Sequence, residues 1–194
     1  MSEDTPGLTQ PELYSWMHLT SLFMTLPGTM EQQLKRDSGL NLYEYSVLAV
    51  LSEAPDRAMQ MSSLAASALG SPSRLAHAVS RLERAGWVQR RNCSEGSRSI
   101  EAFLTDEGYQ HLLSAAPGHL REARRLVVDV LDQEELSQLQ QILRKVLTAT
   151  DPRIIEMLDQ AFARQACLGG VGGLGGVGGH EGIEAAAPPQ PADA

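Results

Sequence analysis

Residues 62–105 read SSLAASALGSPSRLAHAVSRLERAGWVQRRNCSEGSRSIEAFLT, and the rest of the chain is organised around them. A short apolar helix is predicted over 62–69, and Gly70 breaks it. Ser71 is a good N-cap, and Pro72 falls at the first helical position, where its missing N–H costs nothing. A second helix follows to about Ala85, and Gly86 stops it. Leu75, Val79 and Leu82 share one face at the spacing of a core stripe, with Arg74, His77, Arg81 and Arg84 roughly opposite. A helix, a tight turn and a second helix with one apolar and one basic face make the helix-turn-helix pattern.

The residues that follow extend this pattern. Trp87-Val88 and 100–104 read as two short strands around a polar segment, 89–99, that contains Gly96. This is a β-hairpin with a long tip, the wing of a winged helix. Between Arg74 and Arg98 stand six arginines (74, 81, 84, 90, 91 and 98) against two acids, Glu83 and Glu95, in a chain of formal net charge −8. A basic island in an acidic chain is an electrostatic footprint for phosphate. Arginines on one helix face alone would suit an ordinary solvated surface. The turn, the wing and the absence of lysine–glutamate alternation favour double-stranded DNA.

Composition bounds the alternatives. The 194 residues suit one domain, or one domain with an appendage, and 42% hydrophobic residues suffice for a core. No run approaches the ~20 apolar residues of a membrane span, so no membrane partner is expected. The opening MSEDTPGLTQPE is acidic and polar, unlike a signal peptide. Cys93 and Cys167 stand far apart without metal-type spacing, which fits a reducing, cytoplasmic location and no disulfide framework.

Thr9 and Glu12 form a capping box for a helix over 10–26. Leu13, Trp16, Met17, Leu22, Phe23 and Met24 make it more apolar than one face requires, so it is expected to be buried on two sides. Pro27-Gly28 should kink or break it before a further piece over 29–37. Asn41, with Glu44 three residues on, caps the next helix, whose core face is Tyr45, Leu48, Ala49 and Leu51. Residues 57–61 (RAMQM) are a candidate third strand pairing with the wing. After the wing, Thr105 caps a long helix to about Leu131, irregular at Pro117-Gly118. Asp132 and Glu135 cap another, with a seam of Leu136, Leu139, Ile142, Leu143, Val146 and Leu147. Asp151-Pro152 opens a final short helix carrying Ile154, Ile155, Leu158 and Phe162. From Leu168 the Gly- and Pro-rich text cannot bury enough surface to offset ordering entropy and is expected to be disordered.

The expected fold is mainly α with a small β-wing: a winged helix-turn-helix (41–108), dimerisation helices on either side (9–40 and 109–165) and a tail (166–194). The terminal helices carry more apolar surface than a monomer easily hides. A dimer would present two recognition helices about one duplex turn, ~34 Å, apart and read a pseudo-palindrome.

Residues 9–149 resemble the multiple-antibiotic-resistance regulator (MarR) family of winged-helix transcription factors. The matching phrases are GLNLYEYSVLAVLSEAPDRAMQMSSLA, SPSRLAHAVSRLERAGWVQRR and AFLTDEG. The resemblance implies an obligate homodimer and a repressor of nearby genes, released from DNA by a small, often aromatic ligand or by oxidation. It places Ser73, Arg74, His77 and Arg81 at DNA-facing positions of the recognition helix and Arg98 at the wing tip, in the minor groove. Where the family usually has an Asp two residues before that arginine, this chain has Gly96, with Glu95 beside it; the departure bears on the wing's rigidity and not on the fold. The candidate DNA-binding set is therefore Ser71, Ser73, Arg74, His77, Arg81, Arg84, Arg90, Arg91 and Arg98.

Other chemistry is thinner. Cys93 lies among wing arginines that would lower its pKa, the basis of an alternative reading as a redox-sensing repressor. His111 and His119 lack an obvious third ligand for a metal. Trp16 and His18 are candidates for lining a cavity for a small effector, and core packing explains them equally well. GxGxxG, P-loop, GxSxG and HExxH motifs are absent, so neither an enzyme nor a cofactor is expected. The alternative from another class is a winged helix whose basic face meets an acidic protein partner.

Overall fold

The structure is a computed structural model and describes residues 7–92 and 99–167. In chain order the elements are α1 (Gln10–Ser38), α2 (Leu42–Glu53), β1 (Ala58–Gln60), α3 (Met61–Ser67), α4 (Pro72–Arg84), β2 (Val88–Asn92), β3 (Ile100–Leu104), α5 (Asp106–Ala123), α6 (Gln133–Thr150) and α7 (Pro152–Cys167). The fold is mainly helical, with one antiparallel sheet in the order β1-β3-β2.

The core forms around α2. Asn41 and Glu44 close a reciprocal capping box, and seven of the twelve α2 residues are buried. A helix apolar nearly all round belongs inside, and this one is covered by α4, α5, α1, α3 and the sheet. Leu34 near the end of α1, Leu40 just beyond it, Leu64 of α3, and Leu75, Val79 and Leu82 of α4 complete the core with Val88, Leu104 and Leu112. The last turns of α1 and the first of α5 thus belong to the winged-helix core itself. The wing registers Val88 against Leu104 and Asn92 against Ile100, while β1 pairs Ala58 with Phe103 on the other edge of β3.

Several local expectations are corrected. Pro27 lies inside a continuous α1. Proline removes the bond to the Phe23 carbonyl and its ring presses on that carbonyl, but this turn is exposed, so the carbonyl can tilt outward and be served by water. The first two-thirds of α1 is not buried within the chain: Leu13, Tyr14, Trp16, Met17, Leu22, Phe23 and Met24 are all exposed. Pro117 is likewise carried inside α5. The irregularity falls later, in a π-helical turn at Arg124–Val128 that Asp129 N–H closes onto the Arg124 carbonyl at 2.8 Å. The last helix is not short but runs sixteen residues. It is joined to α6 by a two-pronged ion pair in which Arg144 donates to both Asp159 oxygens at 2.7 and 2.6 Å. The predicted tail lies outside the described residues.

Candidate nucleic-acid interface

The recognition helix α4 starts as its sequence requires. Ser71 Oγ accepts the Arg74 N–H at 3.2 Å, and Pro72 sits at the first helical position. Leu75, Ala78, Val79 and Leu82 are buried, while Ser73, Arg74, His77, Arg81 and Arg84 are exposed on the outer face. The exposed N-terminal turn, with Ser71 and Ser73, is suited to a phosphate through its backbone N–H groups and the helix dipole.

The turn before α4 divides two jobs between neighbours. Leu69, not Gly70, takes the left-handed backbone, at φ 52°. Gly70 supplies space: a Cβ there would lie 2.0 Å from the Tyr43 hydroxyl. The Tyr43 ring is thereby tucked beneath the turn, and burial pushes its phenol pKa up, opposed by the nearby Arg74 charge.

The basic island resolves into two kinds of arginine. Arg90 is used internally: its guanidinium donates to the Ala76 carbonyl at 3.1 Å and to Ser80 Oγ at 2.9 Å, and pairs with Glu83 at 3.4 Å. It ties β2 to α4. Arg91 pairs with Glu101, its cross-strand partner, and lies over the Phe103 ring. Arg84 donates its Nε–H to the Ser80 carbonyl at 3.2 Å. Arg57, which sequence reasoning did not single out, bonds Asp106 at 3.0 Å and lies 3.8 Å from the Tyr109 ring centroid.

Arg74 and Arg81 differ from these. The Arg74 guanidinium stacks 4.2 Å from the Tyr43 ring centroid. Arg81 Nε lies 2.8 Å from Oε1 of the buried Glu44. That oxygen accepts no well-aligned hydrogen bond, so the contact is an ion pair at close range. Among the described residues neither guanidinium has a further partner, and His77 has none. Arg98, Cys93, Glu95 and Gly96 lie outside the described residues.

The histidines serve separate contacts. His111 stacks on Trp87 at 3.8 Å with its Nε2 3.0 Å from the Ser38 carbonyl. His119 sits 4.3 Å from the Tyr45 ring, and burial lowers its pKa. Trp16 is exposed on α1, and His18 Nδ1 lies 2.7 Å from the Tyr14 carbonyl. Neither lines the cleft of about 930 Å³ that lies between the α3–α4 turn and α7. Leu69, Pro72 and Arg74 form one wall of it, and Arg153, Ile154 and Met157 the other.

No family model matches the chain. It is 30% identical over 144 residues to the uncharacterized HTH-type transcriptional regulator YkoM of Bacillus subtilis, covering 72% of this chain and 90% of that protein. Its structure is similar to that of Sco3205, a MarR family transcriptional regulator from Streptomyces coelicolor solved in complex with DNA, with TM-score 0.73 and 38% identity over 78% of this chain and 94% of that one. The chain belongs to the MarR family of transcriptional regulators. AbsC, another MarR family regulator from Streptomyces coelicolor, matches with TM-score 0.71 and 33% identity, covering 75% of this chain and 98% of its own. The transcriptional repressor MprA of Escherichia coli is 26% identical over 141 residues, 71% of this chain and 80% of that protein. In this MarR family member no helix among the described residues is long and apolar enough to cross a membrane.

Proposed function

We propose that the chain is a homodimeric, DNA-binding transcriptional repressor that reads a pseudo-palindromic operator with α4 and is released from it by a small molecule. One observation carries the reading: Arg74 and Arg81 stand two turns apart on the exposed face of a capped helix, and the Arg74 N–H edge and both Arg81 Nη groups have no partner among the described residues. Arginine matches guanine edges and phosphate through paired N–H groups. Ser71, Ser73 and His77 flank them, and Arg98 takes the minor groove as the family resemblance implies. Arg84, Arg90 and Arg91 contribute positive field more than direct contacts, because their donors or charges are engaged within the domain.

Residues 41–108 form the body of the DNA-binding unit, completed by the last turns of α1 and the first turns of α5, and the remainder of 9–40 and 109–165 supplies the dimerisation helices. The exposed side chains of Leu13, Trp16, Met17 and Phe23 on α1, with Ile142 and Leu143 on α6, support that division. Such a surface calls for a covering partner, and a second copy offers the same one. The cleft beside Arg74 is the candidate seat for the effector.

The test is to recover bound duplexes from genomic fragments and measure affinity against salt. A steep log–log slope marks phosphate binding, whereas an acidic protein partner would leave binding insensitive to competing DNA. Arg74→Ala and Arg81→Ala should each cost ~1–3 kcal/mol per lost base contact. Arg81→Ala also strands Glu44, so its melting temperature is measured beside its affinity. Wild-type affinity in both variants removes the assignment of α4.

A further inference from the structure

Arg74 and Arg81 are seven residues apart, about 10.5 Å along the helix, and so share one face of α4. Both are held by the first turn of α2, and by consecutive residues, Tyr43 and Glu44. Each hold leaves donors over. Stacking on Tyr43 uses the flat face of the Arg74 guanidinium and leaves its N–H edge open. Glu44 engages Arg81 through Nε, on the inner side, and leaves both Nη groups without a partner among the described residues. Glu44 is itself buried and tied at its other oxygen: it is 2% exposed, and its Oε2 accepts the Asn41 N–H at 2.9 Å in the capping box. Tyr43 is 7% exposed and locked beneath Gly70.

We infer that the first turn of α2 is a positioning platform for operator recognition, in which Tyr43 and Glu44 pre-orient Arg74 and Arg81 with their outer N–H edges toward the duplex. The inference rests on the reading of α4 as the recognition helix. Its physical content is entropic: a free arginine loses rotamers when it docks on a base, whereas one already held loses fewer. Neither Tyr43 nor Glu44 touches DNA in this account; each acts through its arginine.

Double-mutant cycles test it, using a fluorescein-labelled duplex recovered by selection and the full chain. Tyr43→Leu should weaken binding about threefold to tenfold, the range expected for one side chain left to be ordered on binding. It should have little further effect in an Arg74→Ala background, and Tyr43→Phe, which keeps the ring, should restore binding. Glu44→Gln, which keeps the capping acceptor, should show the same pattern against Arg81→Ala. Equal losses in both backgrounds would mean a general structural role and overturn the inference. So would tighter binding by Glu44→Gln, which would mean that Glu44 holds Arg81 back from phosphate. If Arg74→Ala weakens binding but Tyr43→Leu stays within twofold of wild type, the platform falls and the recognition reading stands. If Arg74→Ala alone is silent, the Tyr43 arm of the platform falls; if Arg74→Ala and Arg81→Ala are both silent, the platform and the recognition reading fall together.

Discussion

Gly108→Ala should destabilise the protein, against what helix propensity alone expects. Gly108 lies in the first turn of α5, where Thr105 forms a corner with the start of the wing. Thr105 Oγ1 accepts the Gly108 N–H at 3.0 Å and donates to the Gly86 carbonyl at 2.8 Å; the Thr105 N–H donates to the Trp87 carbonyl at 3.1 Å. A Cβ on residue 108 would lie 2.1 Å from the Trp87 carbonyl oxygen and 2.9 Å from Leu104 Cδ1. A carbon–oxygen contact needs roughly 3.3 Å, so the Trp87 backbone must retreat by about 1 Å and loosen the Thr105 bond. Alanine returns up to ~1 kcal/mol of helix propensity. Overpacking costs ~1–3 kcal/mol and a weakened hydrogen bond about 1 more. The expected net loss is about 1–3 kcal/mol, or a melting temperature lower by roughly 2–12 °C at ~2–4 °C per kcal/mol. Gly28→Ala is the control, since a Cβ there meets nothing within 4 Å and the site is helical and exposed; it should be neutral or stabilising by up to ~1 kcal/mol. Urea or thermal unfolding followed by circular dichroism reads both. A Gly108→Ala protein as stable as the wild type would refute the close approach of α5 to Trp87.

Leu139→Glu combined with Leu143→Lys should convert the dimer to a monomer and abolish operator binding, measured by light scattering and anisotropy; a wild-type chain that is monomeric at micromolar concentration would dismiss the dimer outright. Arg98→Ala should lower affinity evenly across operator variants and reduce the salt slope by about one phosphate equivalent, and an unchanged slope would remove the wing from the interface. Burial depresses the His119 pKa, so the folded state resists a proton that the unfolded chain accepts. Stability from this source is complete above the ordinary histidine value, about 6.5, and declines as pH falls through it, by at most about 1.4 kcal/mol per pH unit. His119→Gln should flatten that part of the pH–stability curve, and an unaltered curve would contradict the assignment.

What the residues settle by themselves is what depends on near neighbours along the chain. The capping boxes at Asn41 and Asp132, the Ser71–Pro72 start and the stripe of Leu75, Val79 and Leu82 need only residues within a turn or two. Hairpin pairing and the third strand follow from the same local signals, and so the winged helix was legible. The candidate site was legible as a set of arginines but not as a division among them. Which arginine is engaged depends on partners that only folding brings close: Ser80 and Ala76 for Arg90, Glu101 for Arg91, Tyr43 and Glu44 for Arg74 and Arg81. The glycines show the same limit. Gly70 reads as a helix breaker, yet its neighbour Leu69 takes the positive φ, and what Gly70 provides is room for a tyrosine twenty-seven positions earlier. Pro27 reads as a break, yet on a solvent-facing turn the lost hydrogen bond and the ring's pressure on the Phe23 carbonyl are tolerated, because the C-terminal turns of the helix are anchored in the core by Met30 and Leu34. Periodicity and capping are short-range and survive in the sequence; burial, pairing and steric room are properties of surfaces that meet only in the fold.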